Sequence, residues 1–483
     1  MELFYRKDDG DWAQYGGQFD SSPILFDTST TGGSGYYEFY TIATDNSGNS
    51  EPVKTVYEDF VYIIPTFSGD RAYVDGSSTG YGTGESWATA VRSVNAGLIL
   101  AKIFGLSEVW VAQGSYLEAI EMPSDVSLFG GFAGGETYLD ERDFIANPTV
   151  IDAATADYGR PPKHVVRIED VSTTRVDGIT ITGGRADSSI GNDEFGGGIL
   201  VYETGGPTVI ANCTITGNYG DGGGGLYAYA YQESLAVVNC VIEDNSAEYA
   251  GGAFFDDIVF TLSGSVIRNN TATNEAGGFE LYYATGLISE CDISGNSTEG
   301  AGGGIFVQRL DYDEAPPRIV DCRISNNTAD MGGGLYGDDI GMLEIDRCTI
   351  TGNRASDVGG GLLFSQCDPQ ITDSVIAGNQ AVVEGGGFEI DYGNFIIENT
   401  IISGNDGGEY GGGIYGYRQD TSESNHDPQL INCIVSGNQA DYGGGFYLDD
   451  MSPLFVNCTI ASNAAIEGGG TVSYTHLRAH ETT

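Results

Sequence analysis

A chain of 483 residues has room for two or three domains of ordinary size, and its formal net charge of −49 repels phosphate backbones and anionic lipid headgroups, which excludes nucleic acid as a partner. Apolar residues make up 40% of the sequence, enough for a core, but no uninterrupted apolar run is long enough to span a membrane. Glycine, at 74 residues, is about twice as frequent as usual while proline, at 13, is not, which predicts a glycine-rich folded structure rather than disorder.

The first 65 residues differ in kind from the rest of the chain. Residues 35–44 alternate between apolar and polar side chains and are followed by turn residues at 45–49, which predicts a strand and a turn. This pattern resembles the closing strands of fibronectin-type or immunoglobulin-like modules of bacterial exported proteins, and residues 1–65 would be a partial module. Residues 2–6 read as the middle of a strand and no signal peptide is visible, so the sequence is expected to begin inside a longer protein.

A helix is predicted over residues 86–104. Val91, Val94, Leu98 and Lys102 follow one another at helical spacing, and Ser86 is the predicted N-cap. A stack of coils exposes an apolar end and unpaired strand edges, which repeat proteins cover with caps. The helix is therefore predicted to cap a stack that occupies residues 70–471 and whose first coils contain residues 108–112 and 126–129.

A repeat of ~26 residues fills the chain from about residue 170 to residue 470. Each unit contains aliphatic residues, an asparagine, a polar turn, a glycine cluster and a second alternating stretch. The asparagine column consists of Asn218, Asn245, Asn270, Asn296, Asn327, Asn353, Asn379, Asn405, Asn438 and Asn463. The apolar column after the glycines consists of Leu226, Phe254, Phe279, Ile305, Leu335, Leu362, Phe388, Ile414 and Phe446. Short alternating strands without a helical period predict one turn of a parallel β-coil per unit.

Stacking of the coils explains these columns. Adjacent coils lie ~4.8 Å apart, so equivalent residues lie on top of one another. Asparagine tolerates left-handed backbone angles, and its amide can donate a hydrogen bond to one neighbouring coil and accept one from the other. Glycine permits a tight bend and a close approach of backbones. The asparagines are therefore predicted to form a structural ladder.

Most cysteines occupy a single repeat position. These are Cys213, Cys240, Cys291, Cys322, Cys348, Cys433 and Cys458, whereas Ser265, Ser374 and Thr400 take the same place in other coils and Cys367 lies elsewhere. The shared position favours an inward-facing column of small buried thiols. Adjacent coils are also close enough for some disulfide bridges, so both states of the column stay open.

Several motifs carry a resemblance to known proteins. Residues 73–75, 86–90, 109–116 and 129–137 resemble the opening of bacterial surface proteins with the pectin-lyase fold, and the G-G-G-[ILF] and I-x-x-N motifs resemble those of the polymorphic outer-membrane-protein family. The resemblance covers roughly residues 70–470. It implies an all-β, right-handed parallel β-helix, export, and surface or extracellular display. It implies no single chemistry, because this fold carries many activities.

An acidic residue lies between the asparagine and the glycines of each repeat. Stacked carboxylates repel one another, and carboxylates together with turn carbonyls are suitable ligands for Ca²⁺. We therefore consider weak divalent-cation binding along this edge, with a solvated turn as the simpler alternative. The predicted calcium ligands are Asp330, Asp357, Glu384, Glu409 and Asp441.

A second polar column follows the glycine cluster. Length-variable loops leave the repeats just after it, and aromatic rings beside carboxylates are suited to sugar binding. The alternative is a set of exposed strand residues without a ligand. The predicted ligand-binding residues are Asp257, Tyr282, Asp338, Asp391, Tyr417 and Asp449.

These observations favour a secreted or cell-surface adhesion or glycan-binding protein without catalysis, monomeric, with an extracellular polysaccharide or a neighbouring cell surface as partner. One alternative is a polysaccharide lyase or glycosidase that uses the face of Asp338, Asp391 and Asp449. The N-T-D, G-H-G and R-I-K motifs of pectin hydrolases with this fold do not occur in the sequence. A second alternative is a structural stalk, against which the length-variable loops argue.

The last residues, 472–483, break the repeat in the middle of a coil. They resemble the translated sequencing-adaptor tail found at the ends of some metagenomic reading frames, so this segment is predicted to be non-native.

Overall fold

The computed structural model describes residues 2–7, 10–17, 26, 35–44, 50–52, 59–63, 67–79, 82–155, 163–187, 194–231, 233–308, 317–418, 428–473 and 478–479. The chain forms two compact units, one of residues 1–116 and 128–149 and one of residues 117–127 and 150–483. In the parts of the chain that the structure describes, no helix is both long enough and apolar enough to cross a membrane.

The first unit contains an antiparallel sheet in the segment predicted as a β module. Its strands, in spatial order, are Ala13–Tyr15, Glu2–Lys7, Gly35–Ile42 and Asp59–Ile63. The central pair is aligned so that Phe4 lies opposite Tyr40, and their rings stack with centroids 4.9 Å apart. Tyr37 and Tyr40 are both buried, and the alternation of side chains places them on opposite faces of the strand. The sheet is compatible with the β module predicted from the sequence.

The helix of the first unit begins later than the sequence pattern predicts. A 3₁₀ turn covers Trp87–Thr89, and the α-helix covers Val94–Phe104. Ser93, not Ser86, is the N-cap, because its side chain accepts a hydrogen bond from the Ala96 N–H. Val91 fits the helical spacing but instead forms a parallel bridge with Val74, which keeps the chain extended before the helix.

Parallel strands and a close helix contact form the remainder of the first unit. Strand Arg71–Val74 pairs with Glu108–Ala112. The helix packs against this pair at Gly97, where an added Cβ would lie 2.5 Å from Val74 Cγ2 and 2.9 Å from Val109 Cγ1. The other elements are the strands Gly114–Tyr116 and Ser127–Phe132 and the 3₁₀ turn Leu139–Glu141.

The second unit is a stack of parallel coils with three long sheets. We name them the first, second and third sheet in the order in which the chain visits them after each glycine cluster. The first sheet has 13 strands: Ile120–Glu121, Val166–Glu169, Ile199–Tyr202, Leu226–Tyr229, Ala253–Asp256, Phe279–Tyr282, Ile305–Gln308, Leu335–Gly341, Leu362–Cys367, Phe388–Asp391, Ile414–Tyr417, Phe446–Asp449 and Thr471–Ser473.

The second and third sheets complete each coil. In this unit the second sheet contains Thr174–Asp177, Thr208–Ala211, Ser234–Val238, Val259–Ser263, Thr285–Ser289, Arg318–Val320, Glu344–Asp346, Gln370–Thr372, Ile396–Glu398, Gln429–Ile431, Leu454–Val456 and Arg478–Ala479. The third contains Thr149–Asp152, Ile179–Thr182, Thr214–Thr216, Val241–Glu243, Val266–Arg268, Asp292–Ser294, Arg323–Ser325, Thr349–Thr351, Val375–Ala377, Ile401–Ser403, Ile434–Ser436 and Thr459–Ala461.

A short seven-stranded sheet follows the asparagines in part of the stack. Its strands are Arg185–Ala186, Tyr219–Gly222, Ser246–Tyr249, Thr271–Glu275, Ser297–Thr298, Thr328–Ala329 and Arg354–Ala355. Of the predicted non-native tail, residues 472–473 and 478–479 extend the first and second sheets, and the remaining tail residues lie outside the described residues.

In-register stacking builds the core. The middle residue of each third-sheet strand points inward, and a fully buried isoleucine stabilises the fold by about 1.5–3 kcal/mol relative to an exposed one. The fully buried members of this column include Ile181, Ile215, Ile242, Ile267, Ile293, Ile324, Ile350, Ile376, Ile402 and Val435. The coil is thus closed by apolar columns, and its polar residues are left to the turns and outer faces.

The asparagines form a continuous buried ladder. In the middle of it, the backbone N–H and Nδ2 of Asn327 both donate to Oδ1 of Asn353, at 3.0 Å each. Asn327 Nδ2 also donates to the Ile293 carbonyl of the preceding coil, at 3.0 Å. The same pattern recurs from Asn218 to Asn438, so each side-chain amide satisfies a backbone N–H and a carbonyl of the preceding coil and donates to the asparagine of the next coil.

The glycine clusters make space for this ladder. A Cβ at Gly387 would lie 2.8 Å from Asn405 Nδ2 and 2.6 Å from the Gly413 carbonyl oxygen of the next coil. Gly385, at the start of the same cluster, has a φ of +64°. The last glycine of the cluster therefore allows the next coil to pack closely, and the first allows the backbone to bend.

The cysteine column contains free thiols. Cys458 is partly buried and the others are buried. Cys348 Sγ lies 3.5 Å from the Ile319 carbonyl of the preceding coil and 3.3 Å from the Asp346 carbonyl, a contact geometry that the column repeats. The thiols thus act as weak donors to backbone oxygens between coils.

Candidate binding face on the first sheet

Three columns of residues line the outer face of the first sheet. The floor column is the second residue of each strand: Arg167, Leu200, Tyr227, Phe254, Glu280, Phe306, Tyr336, Leu363, Glu389, Tyr415 and Tyr447. The rim column is the fourth: Glu169, Tyr202, Tyr229, Asp256, Tyr282, Gln308, Asp338, Ser365, Asp391, Tyr417 and Asp449. The turn column comes just before the glycines: Phe195, Gly222, Tyr249, Glu275, Ala301, Met331, Val358, Glu384, Tyr410, Tyr442 and Glu467.

Five of the six predicted ligand-binding residues lie together in the rim column, and Asp257 does not. The pairing places Asp256 opposite Tyr229 and Tyr282, so Asp256 occupies the position predicted for Asp257. Asp257 follows the strand at a φ of +46°. The reason is that Ala253, rather than Phe254, is the inward residue after the glycines of this coil, so the predicted alignment is one residue too late.

The predicted acidic column divides into two registers. Asp357 donates its backbone N–H to the Asp330 carbonyl, and the Val383 N–H donates to the Asp357 carbonyl, so Val383 follows these two acids in the stack. Glu384 instead bridges Val358 and belongs to the turn column, which faces the first sheet. Most of these acids therefore lie on the outer edge, whereas Glu384 lies on the binding face, so they do not form one continuous row.

Metal binding by this edge stays a prediction from the sequence. Over the described residues, no group of three or more His, Cys, Asp or Glu side chains is arranged to hold a metal ion. The division of registers separates Glu384 from the other predicted calcium ligands, Asp330, Asp357, Glu409 and Asp441.

A cleft of about 290 Å³ opens between the three columns in the first regular coils. Its lining residues are His164, Glu169, Glu194, Phe195, Leu200, Tyr202 and Tyr227. Phe195 stacks on Tyr227 with ring centroids 4.8 Å apart, and Arg167 forms an ion pair with Glu169. The sequence columns begin at Asn218 and Leu226 and therefore did not include this cleft, although residues 196–199 have the same Gly-Gly-Gly-Ile motif as later coils.

Tyr227 connects the cleft to the next coil. Its hydroxyl donates a 2.9 Å hydrogen bond to Asp256 Oδ2 in the rim column. Burial, and then the negative charge of Asp256, raise the Tyr227 pKa far above its usual value. Burial also raises the pKa of Asp256, against the lowering effect of this hydrogen bond.

A dense group of tyrosines and carboxylates covers the face at the other end of the repeats. We call it the tyrosine–carboxylate patch and define it as Glu384, Glu389, Asp391, Tyr410, Tyr415 and Tyr447. Tyr415 stacks on Tyr447 at 5.6 Å, and Tyr410 meets Tyr447 edge-on at 4.9 Å. Tyr415 also hydrogen-bonds Glu384, which joins the turn column to the floor column.

Two carboxyl groups of the floor column are buried although one oxygen of each lacks a hydrogen-bond partner among the described residues. Glu280 is 4% exposed and Glu389 is 1% exposed, and Oε2 of each has no hydrogen-bond partner among the described residues. Burial, followed by the charges of Glu275 and Asp256, raises the pKa of Glu280 to about 8. Burial, followed by Asp391 and Glu384, raises the pKa of Glu389 well above its usual value, although a hydrogen bond from the Gly359 backbone acts the other way. Burial therefore favours the neutral, protonated form of both carboxyl groups.

The turns explain why these side chains are buried. Gly385 lies so close over the floor column that an added Cβ would come within 2.5 Å of Glu389 Cβ and 2.8 Å of its Oε2. Ala276 takes the corresponding left-handed position above Glu280, with a φ of +52°. Sequence reasoning missed both glutamates because a polar residue in an outward strand position predicts exposure, whereas here the turn covers it.

Asp391 is the predicted site residue with the most perturbed acidity. It lies in the rim column between Ser365 and Tyr417. Burial raises its pKa from 3.8 to about 6. A rim carboxylate of this kind changes charge near neutral pH and responds to a nearby ligand charge.

The fold and this face define the class of the protein: the second unit is a right-handed parallel β-helix. The family model of the right-handed β-helix region matches residues 256–422 and, in an overlapping match, residues 310–479. The "Probable outer membrane protein PmpB" of Chlamydia trachomatis serovar D is 46% identical over 44 residues, which is 9% of this chain. The chain covers 2% of that protein's length.

Two solved structures align with most of the chain at low similarity. The A-module of the mannuronan C-5 epimerase AlgE6 of Azotobacter vinelandii is 16% identical, with a TM-score of 0.36 over 79% of this chain and 94% of that chain. The pectate lyase Pel9A is 14% identical, with a TM-score of 0.26 over 83% of this chain and 80% of that chain. These values define no substrate or activity for the present chain.

Proposed function

We propose that the protein is an exported or cell-surface β-helix that binds glycans along the outer face of its first sheet without catalysing a reaction. The observation that carries the proposal is the arrangement of tyrosines and carboxylates in register over successive coils of this face. Tyrosine rings provide apolar surface with a polar edge, and the carboxylates accept hydrogen bonds from sugar hydroxyls. A row that repeats at ~4.8 Å suits a linear polymer better than a compact ligand.

Two further observations support this assignment. The cleft lined by Phe195, Tyr202 and Tyr227 lies on the same face as the tyrosine–carboxylate patch, so the aromatic surface is not confined to one coil. In the sequence, the segments with the most variable length follow Gln308 and Tyr417, which are rim residues, and residues 309–316 and 419–427 of these segments lie outside the described residues. Loops at one edge of a regular surface are where binding specificity is usually located. Surface location is supported by the short similarity to an outer membrane protein.

A glycan array followed by calorimetric titration of the tightest-binding oligosaccharide tests the proposal. Tyr415→Ala removes a half-buried ring from the patch and is expected to weaken binding by ~30-fold, since central aromatic anchors contribute about 2 kcal/mol or more. Tyr138→Ala removes a ring that is 66% exposed in the first unit and is expected to leave the affinity unchanged.

Two results would contradict this proposal. Equal affinity of the Tyr415→Ala variant and the wild type would place the binding site elsewhere. Release of shortened or unsaturated sugars during the titration would identify an enzyme of the lyase or glycosidase class instead of a non-catalytic binder.

A further inference from the structure

The tyrosine–carboxylate patch has a charge pattern that restricts its ligand. The charges that act on Glu389 are those of Asp391, Glu384 and Asp357, all negative. Those that act on Glu384 are Asp391, Asp357 and Glu409, again all negative. The carboxylates of the patch therefore repel one another.

The buried carboxyl of Glu389 marks the centre of this group. Its Oε2 has no hydrogen-bond partner among the described residues and lies under Gly385, the residue after Glu384. A buried polar atom without a partner is destabilising, so a positive charge held at the outer face above this carboxyl is favourable. Tyr415 lies next to Glu389 in the following coil, and its ring contacts those of Tyr410 and Tyr447. Such tyrosine rings bind organic cations through their faces.

The rest of this face also carries mostly negatively charged side chains. Glu169, Glu194, Asp256, Glu275, Asp338 and Asp449 lie along its columns or its cleft. Two arginines lie along the described part of the face: Arg167, which is paired with Glu169, and Arg418, which follows Tyr417. A polymer of uronic acids would place its own carboxylates against this surface and would be repelled.

We propose that the tyrosine–carboxylate patch binds the ammonium groups of a polysaccharide built from amino sugars, with an ammonium between Glu384 and Asp391 and a sugar ring against Tyr415. This inference rests on the proposed glycan-binding function and names its ligand class. The bound ammonium relieves the repulsion between the carboxylates of Glu384 and Asp391 and donates hydrogen bonds to them, while the tyrosine rings attract its positive charge.

Matched oligosaccharides test this inference on the whole chain. The probes are the β-1,4-linked glucosamine hexamer, its fully N-acetylated counterpart and a hexamer of galacturonic acid, titrated at pH 6, where the free amines are largely protonated, at low and at high salt. The glucosamine hexamer is expected to bind at least 10-fold more tightly than the acetylated hexamer, with the difference shrinking at high salt. The uronic acid hexamer is expected not to bind.

Paired variants separate a specific site from general attraction of a cation to an acidic protein. The double variant Glu384→Gln with Asp391→Asn is expected to weaken binding of the glucosamine hexamer at least 10-fold. The control Glu290→Gln with Glu398→Gln changes the net charge equally at positions away from the face and is expected to change affinity less than 2-fold. Thermal unfolding of both double variants checks that each remains folded.

The outcomes distinguish the two levels of the proposal. Equal binding of the acetylated and free-amine hexamers overturns the ammonium inference and leaves glycan binding intact. Equal losses in the two double variants also overturn it, because the attraction is then non-specific. If neither these hexamers nor any array glycan binds, the proposed function itself fails.

Discussion

At the scale of single residues, the binding face contains two acids, Glu280 and Glu389, in surroundings that disfavour their charge. Glu280 lies between Phe254 and Phe306 in the floor column. Neither neighbour donates a hydrogen bond, and the nearest charges, Glu275 and Asp256, are negative. The neutral acid is therefore the stable form in the folded state.

The raised pKa of Glu280 predicts a pH dependence of stability. Between the ordinary value of 4.5 and the folded value of about 8, the folded state retains a proton that the unfolded state releases. The contribution of Glu280 to the free energy of unfolding is therefore fully present below pH 4.5. It falls by about 1.4 kcal/mol for each pH unit from there up to about pH 8. Glu280→Gln has no such proton and is expected to lose this part of the slope and to be more stable than wild type above pH 7.

Urea unfolding midpoints between pH 4.5 and pH 8 measure this effect. The exposed glutamate variant Glu409→Gln serves as the control and is expected to retain the wild-type slope. A Glu280→Gln variant whose midpoint falls with pH as steeply as that of the wild type would show that Glu280 is ionised in the folded protein.

At the scale of the elements, the turn between the asparagine and the first sheet determines how the core packs and which side chains of the binding face are covered. Its last glycine makes room for the asparagine amide of the next coil, and its first glycine presses on the floor column. A change in one turn therefore disturbs two coils at once, because each coil hydrogen-bonds to the next.

The glycine position can be tested with two equivalent substitutions. Gly387→Ala places a Cβ 2.6 Å from the Gly413 carbonyl oxygen and 2.8 Å from Asn405 Nδ2, and is expected to destabilise the protein by about 1–3 kcal/mol through overpacking. Gly470 occupies the same repeat position, but its added Cβ would meet nothing within 4 Å. Gly470→Ala is therefore expected to change stability by less than about 0.5 kcal/mol. Equal unfolding midpoints for the two variants would contradict this role of the turn.

The repeat shows which elements sequence alone predicts well. The asparagine, isoleucine and glycine columns gave the coils and their order, because each column has one physical cause that recurs in every coil. Asp257 was assigned one residue too late, because its coil has Ala253 where others have a large apolar residue. The helix was predicted too early, because Val91 has helical spacing but pairs with Val74.

The candidate face was predicted only in part, because repeat spacing identifies some of its residues and tertiary packing determines the others. The rim residues Asp338, Asp391 and Asp449 follow the glycines at fixed spacing and could be found from the sequence. Glu280 and Glu389 could not, because their burial depends on a turn of the same coil that folds over them. Their raised pKa values are a consequence of tertiary packing, which no local sequence pattern records.

At the scale of the whole molecule, the strongly negative charge and the repeat act together. The net charge of −49 keeps the chain soluble and steers anionic ligands away. The parallel stack places tyrosines and carboxylates in rows whose spacing is set by the backbone and not by individual side chains. Such a surface is preorganised for an extended ligand, since binding requires little ordering of the protein.

The most direct test of glycan binding is a crystal structure of the protein with the tightest-binding oligosaccharide from the array. The sugar is expected on the outer face of the first sheet, with a ring against Tyr415 or Tyr447 and polar contacts to Asp391. A sugar bound only to the second or third sheet, or to the first unit, would contradict the assignment of the binding face.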